Sequence, residues 1–275
     1  MPTALEHDLG VAEERIEGYA QSIALRSYRP LVQRRAMPLV LYFHGGRFNG
    51  GSLADAAIPA AAIAHAAGAW VVAVGYSLAP AFPFPAALED GYRALQWAVS
   101  HAAAHGADAS RIGLAGHDAG GNLATCIAAM ARDRREVRIS AQALIAPLLD
   151  PSLTHQVNSG AHYDSTIADA LDMSAYASCY RAYLPNPMQR LHPYAAPLDS
   201  RRLAGLPPTL IASAEYDQLH VEADKYAAVL IAAGIPTEVT RHRHASHDAI
   251  ANDAAVLADV GAFFKKRLAK AQRAA

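Results

Sequence analysis

The sequence predicts an α/β fold: a mostly parallel central sheet with helices on both faces. Short apolar runs rich in β-branched residues alternate with longer helical patterns along the chain. Those runs are apolar throughout rather than at every second residue, which fits strands covered on both sides. Two of them end in glycine-rich turns, FHGGRFNGG (43–51) and LAGHDAGGNLA (114–124). With 275 residues, 52% of them hydrophobic, the chain can build one large core and is expected to form one domain over 1–275.

In chain order, SIALRSY (22–28) is expected as the first strand, at a sheet edge. LVLYFH (39–44), WVVAVGY (70–76), IGLAG (112–116) and AQALIAP (141–147) follow as buried strands. TLIASA (209–214) and TEVTRHR (237–243) complete the set. Helices are expected between them. One covers 60–67, with Pro59 suiting its start. Others cover 86–105, where Leu88, Tyr92, Leu95, Trp97 and Val99 fall mostly on one side, and 119–132. The last two are 221–233, stopped by Gly234 and Pro236, and 253–270. Residues 150–207 break the alternation. That stretch is rich in Pro, Tyr and Asp, carries one expected helix near 175–183, and reads as a lid insertion.

Charge and cysteine usage exclude several classes. Basic and acidic residues nearly balance, 24 against 25, so no patch calls for nucleic acid. Cys126 and Cys179 form neither a disulfide framework nor a zinc pattern and read as reduced structural thiols. The first twenty residues carry acids where a signal peptide needs a basic start and an apolar run. No apolar stretch reaches the ~20 residues of a membrane span. The expectation is a cytoplasmic protein with a small-molecule substrate and no cofactor or metal; a homodimer stays open.

LAGHDAGGNLA follows a strand and precedes a helix, as a nucleophile elbow requires. The elbow pattern is Gly-x-Ser-x-Gly, and here Asp118 stands at the apex between Gly116 and Gly120. The plainer alternative is a glycine turn whose Asp caps the helix. FHGGRFNGG offers closely spaced backbone N–H groups, and with the elbow it suits an oxyanion hole. The expected donors are Gly45 and Gly46 with Ala119, unless the loop is a plain turn. EYDQL (215–219) and RHRHASHD (241–248) supply Asp217 and His247. The order apex, acid, histidine is that of an α/β-hydrolase, with Asp217 orienting the imidazole; a helix cap is the alternative role for Asp217. His242, His244 and His247 are dense enough to raise metal binding. However, a dinuclear His-x-His-x-Asp-His motif would need Asp at Ser246, so surface histidines beside one catalytic histidine fit better.

Together these segments resemble the bacterial hormone-sensitive-lipase-like esterases, from about Ser22 onward. HGG (44–46) is similar to that family's oxyanion motif, and GYSLAPAFPFPAALEDGYRALQW (75–97) follows its Tyr-Arg-Leu-Ala-Pro-Glu segment. DASRIGLAGHDAGGNLA (108–124), YLPNPMQRLHPYAAPL (183–198) and LPPTLIASAEYDQL (206–219) match its elbow and acid regions. The resemblance implies the α/β-hydrolase fold and hydrolysis of a small acyl ester. It also implies a shortened N-terminal cap over about 1–20. The chain departs from the family at Asp118 for the apex Ser, Arg47 for the third Gly, Ala81 for Glu, and Asp248-Ala249 after His247.

The departure at the apex changes the chemistry. If Asp118 attacked an ester carbonyl, the intermediate would have to expel an alkoxide in preference to a carboxylate. Carboxylic acids (pKa ~4) leave far more readily than alcohols, which are about as weakly acidic as water (~16), so collapse back to substrate wins. Attack on a halide or epoxide carbon escapes this, because it gives an alkyl ester of Asp118 that His247 and water then open. The dehalogenase branch has Trp after its nucleophile; here Ala119 stands there. Tyr163, Tyr176 and Tyr180 of the lid are candidates to aid epoxide opening, or else core or rim aromatics. His44, Arg47, Phe48 and His117 are further pocket candidates, with Arg47 also able to offset Asp118. Two other readings stay open: direct activation of water on an ester by Asp118 and His247, and a pseudo-hydrolase that only binds a ligand. Two carboxylates beside His247 should favour its protonated form.

Overall fold

The computed structural model describes residues 7–32, 36–153 and 173–270. Its strands are β1 (Leu9–Glu17), β2 (Ser22–Pro30), β3 (Met37–Phe43), β4 (Trp70–Gly75), β5 (Ala107–His117), β6 (Ala141–Ile145), β7 (Thr209–Tyr216) and β8 (Thr237–Ser246). Its α-helices are α1 (Ala57–Ala67), α2 (Ala86–His101), α3 (Ala119–Arg134), α4 (Met173–Tyr183), α5 (His220–Ala232) and α6 (Ala254–Arg267). The strands form one sheet in the order β1-β2-β4-β3-β5-β6-β7-β8. β1 and β2 pair antiparallel, as do β2 and β4, and every later pair is parallel.

The continuous apolar runs are explained by two cores. Side chains alternate across a strand, so Leu39, Leu41 and Phe43 of β3 join one core while Val40 and Tyr42 join the other. Val72 and Val74 of β4 divide from Val71 and Ala73 in the same way. α2, α3 and α5 supply the first core through Leu95, Leu123, Ile127 and Leu230. α1 and α6 supply the second through Ile63, Val256, Val260 and Phe264. Among the described residues, no helix is long and apolar enough to cross a membrane.

One strand differs from expectation. The first strand is β1, within the stretch expected to be a short cap, and SIALRSY lies one strand in from the edge. The core strands announce themselves because both faces are buried. β1 has most of its residues exposed and carries EERIE on an uncovered ribbon, so neither apolar run nor alternation marks it. β5 also starts at Ala107, earlier than IGLAG implies, because its first residues pair with Met37 and Pro38 before a register shift. α1 begins at Ala57, which puts Pro59 in the first turn, and α2 stops at His101.

Candidate active site

The parallel strands β3, β5, β7 and β8 end on the same side of the sheet, and the loops leaving them meet there. β5 runs straight into α3 through Asp118, whose φ of 54° and ψ of −118° are a strained conformation for a residue with a Cβ. Backbone bonds clamp that apex: Asp118 N–H donates to Ile145 O at 3.0 Å, and Leu148 N–H donates to Asp118 O at 3.1 Å. The flanking glycines are steric necessities. A Cβ on Gly116 would lie 2.2 Å from Gly120 O, and one on Gly120 would lie 2.1 Å from Phe43 O. The apex therefore has elbow geometry, and Asp118 makes no side-chain cap bond to α3.

The carboxylate reaches the loop after β3 instead. Its Oδ2 accepts from Gly46 N–H at 2.9 Å and Arg47 N–H at 2.6 Å. The donors that reach Asp118 thus sit one residue later than the Gly45 and Gly46 expected. Gly46 has φ 122°, and Arg47 (54°) and Phe48 (66°) follow it in the left-handed region, which sets the direction of those N–H groups. Nothing in the letters HGGR reveals that torsion. Ala119 N–H lies close enough to help hold the charge on Asp118.

Oδ1 of Asp118 makes no hydrogen bond and faces Nε2 of His247 at 3.5 Å. On its other side, Nδ1 of His247 donates to Asp217 Oδ2 at 2.9 Å. Asp217 holds a second bond, accepting from Leu219 N–H at 2.9 Å through Oδ1. It therefore both caps a turn and engages the imidazole. All three side chains are buried. Burial alone would lower the pKa of His247, but the charge of Asp217 and the contact with Asp118 overcome it and raise the pKa to about 10. Burial likewise opposes charge on Asp118, yet the contact with His247, aided by His117, holds its carboxyl well below the usual range. Two carboxyl groups thus flank one imidazole, an arrangement that favours the protonated ring.

The other candidates separate into supports and walls. His117 is buried, with Nε2 donating to His247 O at 2.9 Å. Burial and the nearby His247 lower its pKa to about 4, so this ring is neutral. It lines a cavity of about 320 Å³ behind the glycine loop, with Gly45, Gly46, Asp55 and Asp248. His44 stacks on Tyr76 with centroids 4.2 Å apart, and Tyr76 O–H donates to His44 O. Both histidines thus brace loops from behind. Phe48 stacks on Tyr183 at 3.8 Å and leans on Tyr180. The Arg47 guanidinium lies over the Tyr176 ring at 4.6 Å, and Tyr176 meets His247 edge-on at 6.0 Å. Tyr163 lies outside the described residues. Tyr183 was not singled out, although its spacing from Tyr176 and Tyr180 along α4 signals a shared face. His242 and His244 turn to separate partners: His242 Nε2 is 3.3 Å from Asp259, and His244 Nδ1 is 3.0 Å from Tyr216 O–H.

A parallel α/β sheet with an elbow after β5, a glycine loop after β3, an acid after β7 and a histidine after β8 defines the hydrolase class. The family model for the alpha/beta hydrolase fold matches residues 40–251, and the chain belongs to that family. Esterase LipI of Mycobacterium tuberculosis is 38% identical over 241 residues, covering 84% of this chain and 72% of that protein. The ethyl acetate hydrolase of Pseudomonas putida is 34% identical over 230 residues, covering 82% and 71%. The crystal structure of a hyperthermophilic esterase from Pyrobaculum calidifontis superposes with a TM-score of 0.85 at 33% identity, covering 94% of this chain and 85% of that one. The chain is an esterase-family hydrolase of the hormone-sensitive-lipase-like branch.

Proposed function

We propose that this hydrolase uses Asp118 as a carboxylate nucleophile toward an electrophilic saturated carbon, forming an alkyl ester that His247 and water then hydrolyse. One observation carries the reading: the two oxygens of Asp118 are unequal. Oδ2 is anchored by two backbone N–H groups, while Oδ1 makes no hydrogen bond and meets His247 only as an ion pair at 3.5 Å. A nucleophilic carboxylate needs this division. One oxygen attacks, and the other already sits where negative charge develops when the ester is opened.

The protonation states support the sequence of steps. Asp118 is ionised in the resting site, so it attacks without a base. His247 starts as imidazolium and is no base at that stage. Alkylation neutralises Asp118 and removes part of what held the proton. His247 releases its proton to solvent and, now neutral, takes a proton from water; hydroxide adds to the Asp118 carboxyl carbon, and Gly46 and Arg47 N–H stabilise the oxyanion. Collapse releases the alcohol and restores the carboxylate. His117 and His44 position the two loops; Phe48, Tyr176, Tyr180 and Tyr183 pack beside the site as core aromatics.

A second reading is ester hydrolysis by water without a covalent step. The named esterase relatives favour it; the protonated state of His247 opposes it. Single-turnover reaction in ¹⁸O water separates the two. The alkyl-enzyme route places ¹⁸O in the Asp118 carboxylate, whereas the direct route leaves that peptide unlabelled and defeats the proposal.

A further inference from the structure

A second cavity lies at the other end of the sheet. It has a volume of about 760 Å³ and is lined by parts of β5, the end of α3, the loops before β6 and β7, and the end of α6. Ser140 and Pro208 of its lining come immediately before β6 and β7, so it faces the strand starts, whereas the candidate active site sits at the strand ends. Its size suits a small molecule. Its charge is one-sided. Five arginines line it, Arg111, Arg132, Arg135, Arg138 and Arg267, against one carboxylate, Glu136. Glu136 is already engaged, accepting from Tyr92 O–H at 2.8 Å and Gln96 Nε2 at 3.0 Å. The whole chain carries a net charge of only −1, so the basic lining is a local concentration.

The five arginines divide into two sets. Arg111 donates to Asp108 at 2.9 Å and to Leu268 O, and Arg132 donates to Asp133 at 2.8 Å and to the carbonyls of Arg202 and Ala204. Arg267 donates to Glu238 at 2.8 Å, but its Nε is buried with no acceptor among the described residues. These three fasten the walls. Arg135 and Arg138 are exposed and make no ion pair or side-chain hydrogen bond among the described residues. Arg132 and Arg134 in the last turn of α3 already answer its dipole, and Arg138 lies a full turn beyond it. We propose that this cavity binds a phosphate monoester with a small apolar body. Guanidinium forks match phosphoryl oxygens through paired, charge-assisted hydrogen bonds. Two unpaired cations balance such an ester, which carries about −1.5 to −2 at pH 7; a singly charged anion would leave one cation over. Ala128, Ala131, Val137, Ile139 and Leu206 give the cavity apolar surface for the organic part. None of these residues belongs to the candidate active site, so the site stands apart from how Asp118 reacts.

Isothermal titration calorimetry of the full chain with n-butyl phosphate, n-butyl sulfate, inorganic phosphate and n-butanol tests this. The sulfate keeps the shape with a single charge, inorganic phosphate removes the apolar body, and butanol removes the charge. n-Butyl phosphate should bind at one site and more tightly than each of the other three. Arg135→Ala combined with Arg138→Ala should weaken it by at least about tenfold, the lower limit for losing one charged hydrogen bond. Arg201→Ala, at an exposed arginine outside the lining, should leave it unchanged. All three positions are exposed, and denaturant midpoints check that the variants fold. Lack of binding by n-butyl phosphate, or equal affinity for any of the other three probes, overturns the proposal. So does undiminished binding in the double variant, or an equal loss with Arg201→Ala, which would mean diffuse charge rather than a site.

Discussion

The elbow and the acid turn approach the same imidazole from opposite sides and hold their carboxylates differently. At the acid turn, both oxygens of Asp217 are committed, one to His247 Nδ1 and one to Leu219 N–H, each at 2.9 Å. At the elbow, only Oδ2 of Asp118 is committed, and Oδ1 stops 3.5 Å short of Nε2. The acid turn holds a ring in place; the elbow keeps an oxygen in reserve. Two residues of the same type, both buried against one histidine, take different roles because of their hydrogen-bond inventories.

Replacing each carboxylate tests that contrast. On the proposed alkyl-enzyme route, Asp118→Ala should drop turnover of an epoxide or halide by at least about 10³-fold, measured by product formation, since it removes the attacking oxygen. Asp118→Ser should in return hydrolyse short aryl esters, because His247 loses one of the charges that keep it protonated and the Gly46 and Arg47 donors become free. Failure of both variants to change any activity would detach Asp118 from the chemistry. Asp217→Asn should cost about 10²–10⁴-fold, the usual range for a misplaced general base. Its loss should fall on hydrolysis of the ester, so intact-protein mass would show adduct accumulating.

The contrast also has a pH signature. The folded pKa of His247 lies above its ordinary 6.5, at about 10. Its contribution to stability is therefore complete below 6.5 and is lost as pH rises toward 10. His117 runs the other way: its pKa falls from 6.5 to about 4, so protonation destabilises the fold as pH drops through that interval. Asp118, depressed, contributes fully above its ordinary 3.8. These groups together place the maximum of unfolding free energy near pH 6.5. Asp118→Asn should flatten the alkaline limb, with the His247 ring titrating lower by NMR; an unchanged limb would mean that Asp118 does not hold the proton. The smallest effect expected is the one read in stability. Gly120→Ala presses a Cβ against Phe43 O and should cost about 1–3 kcal/mol in chemical denaturation, damaging the elbow while leaving the bond between His247 and Asp217.

Much of this was legible in the sequence, for physical reasons. β3, β4 and β6 are buried on both faces, so their letters are apolar without interruption. Asp118, Asp217 and His247 could be named because a strand-to-turn transition must precede each one. β1 was not legible, since an exposed ribbon imposes no pattern on its side chains. The donors were legible only in part: Gly46 and Ala119 were expected, Arg47 was not. The chain shows which loop faces the apex, but which N–H groups point inward depends on the torsion at Gly46. His44 and His117 read as pocket residues because polarity near a motif suggests contact with substrate. The fold also uses His44 to bond Gly45 O within the glycine loop, and His117, which does line a cavity, to hold the His247 loop.

The carboxylate seated on Gly46 and Arg47 N–H bears on how this protein can be detected. Serine hydrolases are surveyed with fluorophosphonate reagents that trap an activated hydroxyl at the apex. Here that apex offers no hydroxyl, and its carboxylate already accepts from Gly46 and Arg47 N–H. Activity-based profiling with those reagents will label serine-bearing esterases of this fold and pass over this chain. A census of hydrolases in a proteome needs electrophiles aimed at carboxylates to count it.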